Sequence, residues 1–134
     1  MRVGFAVAHP EVADLMNRVR QPFNVNSVAQ AGAIAALGDA DYLARSRRLN
    51  ADGMAQIVDG VTRLGLRHIP PRGNFVCVHV GNAGQVYGDL LRRGVIVRPV
   101  AGYGMPEWLR VSIGLPEENA RFLSVLADVL KPAA

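Results

Sequence analysis

The stretch Leu109–Leu130, L-R-V-S-I-G-L-P-E-E-N-A-R-F-L-S-V-L-A-D-V-L, decides the fold because its pattern changes from strand to helix within a few residues. Its first part, Leu109–Ile113, predicts a strand. A helix then begins at Leu115–Glu118, where a proline in the first position and two acidic residues suit a helix N-terminus. The buried face of this helix is predicted to consist of Phe122, Leu126, Val129 and Leu130.

Upstream of this stretch, the sequence predicts three more elements. Phe75–Val80 is a short apolar run rich in β-branched residues, which predicts a buried strand. A helix over about 86–91 stops at Gly94. Val95–Val97 then predicts a second strand, which Pro99 cuts short because proline has no backbone N–H.

A long helix precedes these elements. Either Asp39 or Asp41 can cap its beginning, and an apolar face in its second half extends to about Leu64. The order from Asp39 onward is therefore α-β-α-β-β-α. This order predicts an α/β fold in which a small mixed sheet has its helices packed on one face.

The beginning of the chain does not fit that layer. Arg2–Ala8, R-V-G-F-A-V-A, alternates larger apolar residues with small ones and predicts a strand. A helix opened by Pro10 follows, and then a helix over Val25–Leu37, where Ser27 and Gln30 fit a capping box. The first strand is thus an orphan, separated by two connecting helices from the strands it could join.

Length and composition limit the class of protein. The chain has 134 residues, of which 50% are hydrophobic and 19% charged, so it has the composition of a globular domain. No apolar run approaches the roughly 20 residues that a bilayer span needs, and no signal peptide opens the chain. The single cysteine, Cys77, excludes an internal disulfide. We therefore expect a cytoplasmic protein that does not enter a membrane.

The charge pattern argues against nucleic-acid binding. The net charge is +4, and the 15 basic residues comprise 14 arginines and one lysine, Lys131. The arginines are scattered along the chain, and only 6% of residues are aromatic, so a base-stacking surface is not expected. A basic nucleic-acid-binding domain remains the weakest of the functional alternatives.

Four stretches carry a resemblance to a known family. R-V-G-F-A-V-A-H-P-E-V at the start, R-Q-P-F-N-V-N-S-V-A-Q at Arg20–Gln30, L-L-R-R-G-V-I-V-R-P at Leu90–Pro99 and W-L-R-V-S-I-G-L-P-E-E-N at Trp108–Asn119 resemble histidinol-phosphate aminotransferases, in order and with sensible spacing. The resemblance implies a fold-type-I aminotransferase that uses pyridoxal 5'-phosphate and works as a homodimer. Residues 1–38 would be the end of the large cofactor domain and the interdomain segment. Residues 39–134 would be the small C-terminal domain.

The resemblance implies an activity as well as a fold. The reaction would move an amino group between a substrate amine and 2-oxoglutarate, with histidinol phosphate as the expected substrate in histidine biosynthesis. A threonine-phosphate decarboxylase or an aromatic-amino-acid aminotransferase shares similar motifs and stays open. A different class of function is also open, namely a non-catalytic domain that binds an anion or assembles with another chain.

The resemblance also assigns two substrate-binding residues. Arg110 would grip the substrate α-carboxylate, which a guanidinium group can hold with two parallel hydrogen bonds. An arginine inside an apolar strand also needs an anionic partner. The alternative for Arg110 is a structural ion pair, for example with Glu107 or Glu117. Arg98 would hold the substrate phosphate, and its alternative is a solvated cation at a strand end.

The cofactor side of the site is less complete. Arg2 matches the family's arginine that contacts the cofactor phosphate, but an exposed terminal charge is the alternative. The chemistry needs a lysine to form a Schiff base with pyridoxal phosphate. In the family that lysine precedes the segment that matches the start of this chain, and Lys131 has no reason to replace it. We therefore expect no catalytic residue here, no covalently bound cofactor and no transaminase activity from this chain alone.

Two further features have simple interpretations. Cys77 and His79 lie two residues apart on one predicted strand, and hence on one face, but two ligands make a poor metal site. We expect them to pack, and we expect no metal. An apolar strand at Arg2–Ala8 without a sheet to join predicts self-association, because exposed edge strands recruit partners.

Overall fold

The computed structural model describes residues 2–131. These residues form five helices and three strands, together with one short 3-10 turn. In chain order the elements are α1 (Pro10–Val19), α2 (Ser27–Gly38), α3 (Ala40–Arg63), β1 (Phe75–His79), α4 (Ala83–Arg92), β2 (Arg98–Pro99), the turn Ala101–Tyr103, β3 (Trp108–Ser112) and α5 (Pro116–Val129). The predicted order α-β-α-β-β-α is confirmed from α3 onward. No helix within residues 2–131 is long and apolar enough to cross a membrane.

The chain divides into two compact units, Met1–Ala44 and Arg45–Ala134, with the division inside α3. The first unit contains α1, α2 and the start of α3. The second contains the remainder of α3, the sheet, α4 and α5. The expected domain boundary between residues 38 and 39 stays a prediction.

Capping residues define the helices of the first unit. Pro10 is the first residue of α1, as predicted. Asn26 caps α2, because its side chain accepts a hydrogen bond of 2.8 Å from the backbone N–H of Ala29. The predicted capping box of Ser27 and Gln30 is therefore wrong by one position. Asp39 caps α3 in the same way, accepting from the N–H of Tyr42 at 2.8 Å.

The predicted strand at Arg2–Ala8 does not form. These residues have no regular secondary structure, and Phe5 and Val7 are 74% and 93% exposed. A strand exists only when a neighbour exchanges backbone hydrogen bonds with it, and none of the described strands pairs with this segment. Local alternation alone could not supply that neighbour.

The second unit is built on a three-stranded sheet with the order β1-β3-β2. Both β1 and β2 pair with β3 in the antiparallel direction, so the sheet is antiparallel where a mixed one was expected. The α/β class is confirmed. In the register of the sheet, Arg110 on β3 lies directly opposite Cys77 on β1 and directly opposite Arg98 on β2.

Alternation along the strands places the hydrophobic core on one face of the sheet. Val76 and Val78 of β1 and Leu109 and Val111 of β3 are buried, as the two-residue period of a strand requires. All three helices of this unit pack against that face, as predicted. They contribute Ile57 and Val61 from α3, Val86 and Leu90 from α4, and Phe122 and Leu126 from α5.

The other face of the sheet carries the residues between the core positions, and we call it the open face. It consists of Phe75, Cys77 and His79 on β1, Arg98 on β2, and Trp108, Arg110 and Ser112 on β3. Each of these residues is half-buried or exposed. Polar and aromatic side chains therefore line the side of the sheet that the helices do not cover.

The predicted strand at Val95–Val97 is wrong, and the strand β2 begins only at Arg98. The backbone N–H of Val95 donates a 2.9 Å hydrogen bond to the carbonyl of Leu90, at the end of α4. Gly94 makes the turn with a φ of 74°, a conformation that favours glycine. The N–H of Val95 is thus bound to the end of α4, and residues 95–97 lie outside the ladder with β3.

A buried polar network fixes the turn between β3 and α5. Asn119, which is 2% exposed, accepts a 3.0 Å hydrogen bond from the N–H of Gly114 and donates one of 3.2 Å to its carbonyl. Asn119 also donates to the side-chain oxygen of Gln56 on α3 at 3.1 Å. Gln56 in turn donates to the carbonyl of Pro116 at 3.0 Å. Three elements, α3, β3 and α5, are thus joined at one point.

Two neighbouring leucines of α4 test the assignment of the core. Leu90→Ala should lower the free energy of unfolding by about 2–5 kcal/mol, because it opens a cavity at a fully buried position. Leu91→Ala, at a position 45% exposed, is the matched control and should cost less than about 1 kcal/mol. Urea denaturation followed by circular dichroism measures both. Equal losses from the two variants would contradict the packing described.

Asn119→Ala tests the polar network. The substitution leaves the N–H and carbonyl of Gly114 and the side-chain oxygen of Gln56 without their Asn119 partner, which should cost about 1–3 kcal/mol. Asn50→Ala is the control, since Asn50 is also helical but makes a single exposed hydrogen bond to the carbonyl of Gly73. The same urea denaturation should separate the two, and an Asn119→Ala variant as stable as Asn50→Ala would show that the network contributes little.

Candidate functional site

Two arginines lie directly opposite each other on the open face. Arg98 and Arg110 are register partners on β2 and β3, and directly opposed residues project to the same face of a sheet. In antiparallel pairs the Cα atoms of such residues are about 4.5–5.5 Å apart. Like charges placed directly opposite each other destabilise a sheet. The pair therefore needs a negative charge nearby to offset the repulsion between the two guanidinium groups.

No carboxylate within residues 2–131 neutralises either arginine. The ion pairs of the described residues do not involve Arg98 or Arg110. Glu107, a predicted alternative partner of Arg110, lies instead with its Oε2 3.5 Å from Nε2 of His79. The ion pair with Glu117 is likewise not formed. Each guanidinium group thus keeps its N–H donors for an acceptor from outside the described chain.

Aromatic contact holds Arg110 in place. Its Cζ lies 5.2 Å from the centre of the Phe75 ring, within the distance of a cation–π interaction. Arg110 is half-buried, whereas Arg98 is exposed. The sequence analysis did not identify Phe75 as a functional residue, although its position two residues before Cys77 places it on the same strand face.

A cavity of about 1010 Å³ includes both arginines in its wall, and this volume lies at the upper end of the range for small-molecule sites. Residues 95–97, which do not pair with β3, line one side of the cavity. Glu118 is the one carboxylate of the wall, and it accepts a 2.8 Å hydrogen bond from the N–H of Leu115. The wall also includes Arg121, whose guanidinium donates to the carbonyl of Arg93 at 2.8 Å. The cavity is therefore suited to an anion.

Arg121 lines the cavity, and no sequence motif marks it as a functional residue. It lies on α5, on the exposed side of a helix whose pattern indicates only its buried face. An arginine at such a position has no sequence signal that distinguishes it from a solvated charge. Only the placement of α5 beside residues 94–97 brings it to the cavity.

Cys77 and His79 lie on the open face, where His79 packs against an aromatic ring. The ring of His79 lies edge-on to Trp108, with the ring centres 5.1 Å apart. Cys77 is a half-buried free thiol opposite Arg110. Among residues 2–131 no group of three side chains is arranged to hold a metal ion.

The two cofactor-related positions lie elsewhere in the chain. Arg2 belongs to the unit Met1–Ala44 and is exposed, so its contact with a cofactor phosphate stays a prediction. The Nζ of Lys131 donates a 2.8 Å hydrogen bond to Asp128, beyond the end of α5. This hydrogen bond and the charge of Lys131, together with the charge of Arg93, hold the pKa of Asp128 below its usual value. The ammonium group of Lys131 is thus paired at the surface.

Two curated relatives that this chain resembles are named histidinol-phosphate aminotransferases. This chain is 65% identical over 131 residues to the histidinol-phosphate aminotransferase of Methylobacillus flagellatus. The alignment covers 98% of this chain and 36% of the relative. It is 66% identical over 131 residues to histidinol-phosphate aminotransferase 2 of Pseudomonas aeruginosa, covering 97% and 36%. The chain therefore spans about a third of the length of these relatives.

Solved structures show the same fold. The histidinol-phosphate aminotransferase of Sinorhizobium meliloti in complex with pyridoxal-5'-phosphate superimposes with a TM-score of 0.78 at 27% identity, covering 90% of this chain and 34% of that one. The histidinol-phosphate aminotransferase of Clostridium acetobutylicum gives a TM-score of 0.79 at 24% identity, covering 90% and 38%, and supports the fold alone.

The family model for aminotransferase class I and II matches residues 1–126. This match spans both compact units and includes all four stretches from which the resemblance was read. The resemblance is therefore confirmed, and the chain belongs to the aminotransferase class I and II family.

Proposed function

We propose that this chain is the C-terminal portion of a histidinol-phosphate aminotransferase and that Arg98 and Arg110 form the substrate-binding wall of its site. The observation that carries the proposal is the pair of arginines without carboxylate partners, directly opposite each other in the wall of the cavity. The relatives at 65% and 66% identity, which bear that name, support the choice of substrate.

The chemistry of the proposed substrates suits two arginines. Histidinol phosphate carries a phosphate group, and 2-oxoglutarate, the expected amino acceptor, carries two carboxylates. A guanidinium group forms paired, charge-assisted hydrogen bonds with either kind of anion, whereas an ammonium group offers only a point charge. In this proposal Arg98 and Arg110 together hold the phosphate of histidinol phosphate, which has no carboxylate, and Arg110 holds a carboxylate of 2-oxoglutarate when the acceptor is bound. Binding an anion also removes the repulsion between the two arginines.

The residues that line the cavity do not fit the cofactor, because they include no lysine. Pyridoxal phosphate, when bound, supplies the electron sink for amino transfer, and it requires a lysine for its Schiff base. Lys131, the single lysine of the chain, is paired with Asp128 and is not among the residues lining the cavity. We therefore assign the recognition of anionic substrates to this chain and no step through the cofactor. Transaminase activity from the 134-residue chain alone is not expected.

We also propose that the chain forms homo-oligomers. The unit Met1–Ala44 exposes large apolar side chains, including Phe5, Val7 and Leu15 at 74%, 93% and 60%. Apolar surface of this kind is typical of regions that another protein surface covers. The cytoplasmic location expected from the sequence stays a prediction.

Removal of either arginine should abolish most of the anion binding. Calorimetric titration of the chain with L-histidinol phosphate should show at least about tenfold weaker binding for Arg110→Leu and for Arg98→Leu, since each variant loses charge-assisted hydrogen bonds. L-Histidinol, which lacks the phosphate, should bind much more weakly than its phosphate ester. Arg110→Lys should give an intermediate affinity because it keeps the charge and loses the paired geometry.

Arg72→Leu is the matched control for these variants. It removes one positive charge from an exposed position outside the cavity, so it should leave the affinity for L-histidinol phosphate nearly unchanged. Equal weakening by Arg72→Leu and Arg110→Leu would mean that only net charge matters, and it would contradict the proposed site.

Sedimentation velocity tests the proposed self-association. The wild-type chain should sediment as a concentration-dependent oligomer, and the double variant Phe5→Ser, Val7→Ser should shift it toward the monomer by removing exposed apolar surface. Exchange of two exposed arginines for serine, Arg47→Ser and Arg48→Ser, is the control and should leave the oligomer in place. A wild-type chain that is strictly monomeric would overturn the proposal.

A further inference from the structure

We infer that Phe75 is a positioning residue for Arg110, which it holds ready for an anionic substrate without using any of its hydrogen-bond donors. The inference rests on the proposed role of Arg110 in substrate binding. Its basis is the contact between the Arg110 guanidinium and the Phe75 ring, 5.2 Å from Cζ to the ring centre.

The register of the sheet explains how the two side chains meet. Phe75 lies directly opposite Ser112, and Cys77 directly opposite Arg110, so Phe75 and Arg110 are diagonal neighbours on the open face. Diagonal neighbours are about 7–8 Å apart at their Cα atoms, a distance that an aromatic ring and a long side chain can bridge. The contact therefore follows from strand pairing and not from a flexible loop.

The kind of contact determines what remains available for a ligand. The five N–H donors of a guanidinium group lie in its plane, whereas an aromatic ring attracts the positive charge through the ring face. A carboxylate partner would occupy two of those donors. Phe75 can thus hold the side chain of Arg110 while the donors stay free for a carboxylate or phosphate.

Because of the strand order, the attraction of Arg110 to the Phe75 ring opposes its repulsion from Arg98. Because the order is β1-β3-β2, Arg110 has Phe75 on one side and Arg98 on the other. In the absence of an anion, Arg98 repels the guanidinium of Arg110, and the ring attracts it from the opposite side. The attraction restricts Arg110 before the ligand arrives, which lowers the entropic cost of binding.

A purely structural role for Phe75 is inconsistent with its place in the sheet. Phe75 is 39% exposed and lies on the open face, opposite to the face that bears Val76 and the hydrophobic core. Its ring does not belong to the buried cluster of the second unit. The ring is therefore available for Arg110.

The experiment compares Phe75→Leu, which keeps an apolar side chain without a ring, with Phe75→Trp, which provides the strongest aromatic partner for a cation. Inorganic phosphate is the probe, titrated into the 134-residue chain labelled with ¹⁵N. In the wild type, the Hε signal of Arg110 should be displaced by the ring current of Phe75. Phe75→Leu should abolish that displacement and weaken phosphate binding about twofold to fivefold, while Phe75→Trp should bind at least as tightly as the wild type.

Two controls separate the possible failures. Phe23→Leu makes the same exchange at a residue that is 98% exposed, and should change neither the Hε signal of Arg110 nor the affinity. Arg110→Leu should lose most phosphate binding. If Arg110→Leu binds phosphate as the wild type does, the proposed function itself fails.

The inference about Phe75 is overturned on its own by a different set of results. If Arg110→Leu loses binding while Phe75→Leu keeps wild-type affinity, Phe75 has no positioning role. Equal weakening by Phe75→Leu and Phe75→Trp would attribute the effect to shape and not to the ring. The wild-type spectrum is a further test that needs no variant, since an Hε signal of Arg110 without a ring-current displacement contradicts the contact directly.

Discussion

Two like charges directly opposite each other on paired strands are the constraint on which the rest of this structure depends. The register of β2 and β3 places Arg98 directly opposite Arg110. A fold that existed only for stability would place an acid beside one of them or an apolar residue in its place. The second unit does neither. The cavity, the contact of the Phe75 ring with Arg110 and the guanidinium N–H groups without partners all surround this pair of like charges.

The carboxylates near the arginine pair do not balance its positive charge. Glu118 lies in the cavity wall, but it accepts a hydrogen bond from the backbone at the start of α5. Glu107 lies beside His79. The wall holds three arginines, Arg98, Arg110 and Arg121, against the single carboxylate of Glu118, so the positive charge of the cavity is not cancelled. The N–H of Val95 is bound to the end of α4, and residues 95–97 line the cavity without pairing with β3.

The features of the fold that depend on local periodicity could be predicted from the sequence. The long helix, the strand at Phe75, the final strand and the helix opened by Pro116 all have patterns that packing on one face of a sheet requires, and the structure contains them. Arg98 and Arg110 were identified because they stand in stretches that resemble a family. Their direct opposition could not be predicted, since it depends on register and not on either stretch alone.

The two wrong strand predictions have a common physical cause. Arg2–Ala8 and Val95–Val97 have the composition of strands, but a strand needs a partner, and partners are not encoded in local alternation. Val95 gives its N–H to the end of a helix instead. Phe75 and Arg121 were missed for a related reason, because each acquires its significance from a residue on another element.

The alternation of the central strand has a consequence for how such a domain can diversify. Leu109 and Val111 are buried in the core, while Arg110 between them lies on the open face, so a single strand serves folding with one set of side chains and recognition with the other. Exchanges on the open face leave the packed interior untouched. Over evolutionary time, the preference for one ligand or another can therefore drift while selection on the interior keeps the scaffold the same.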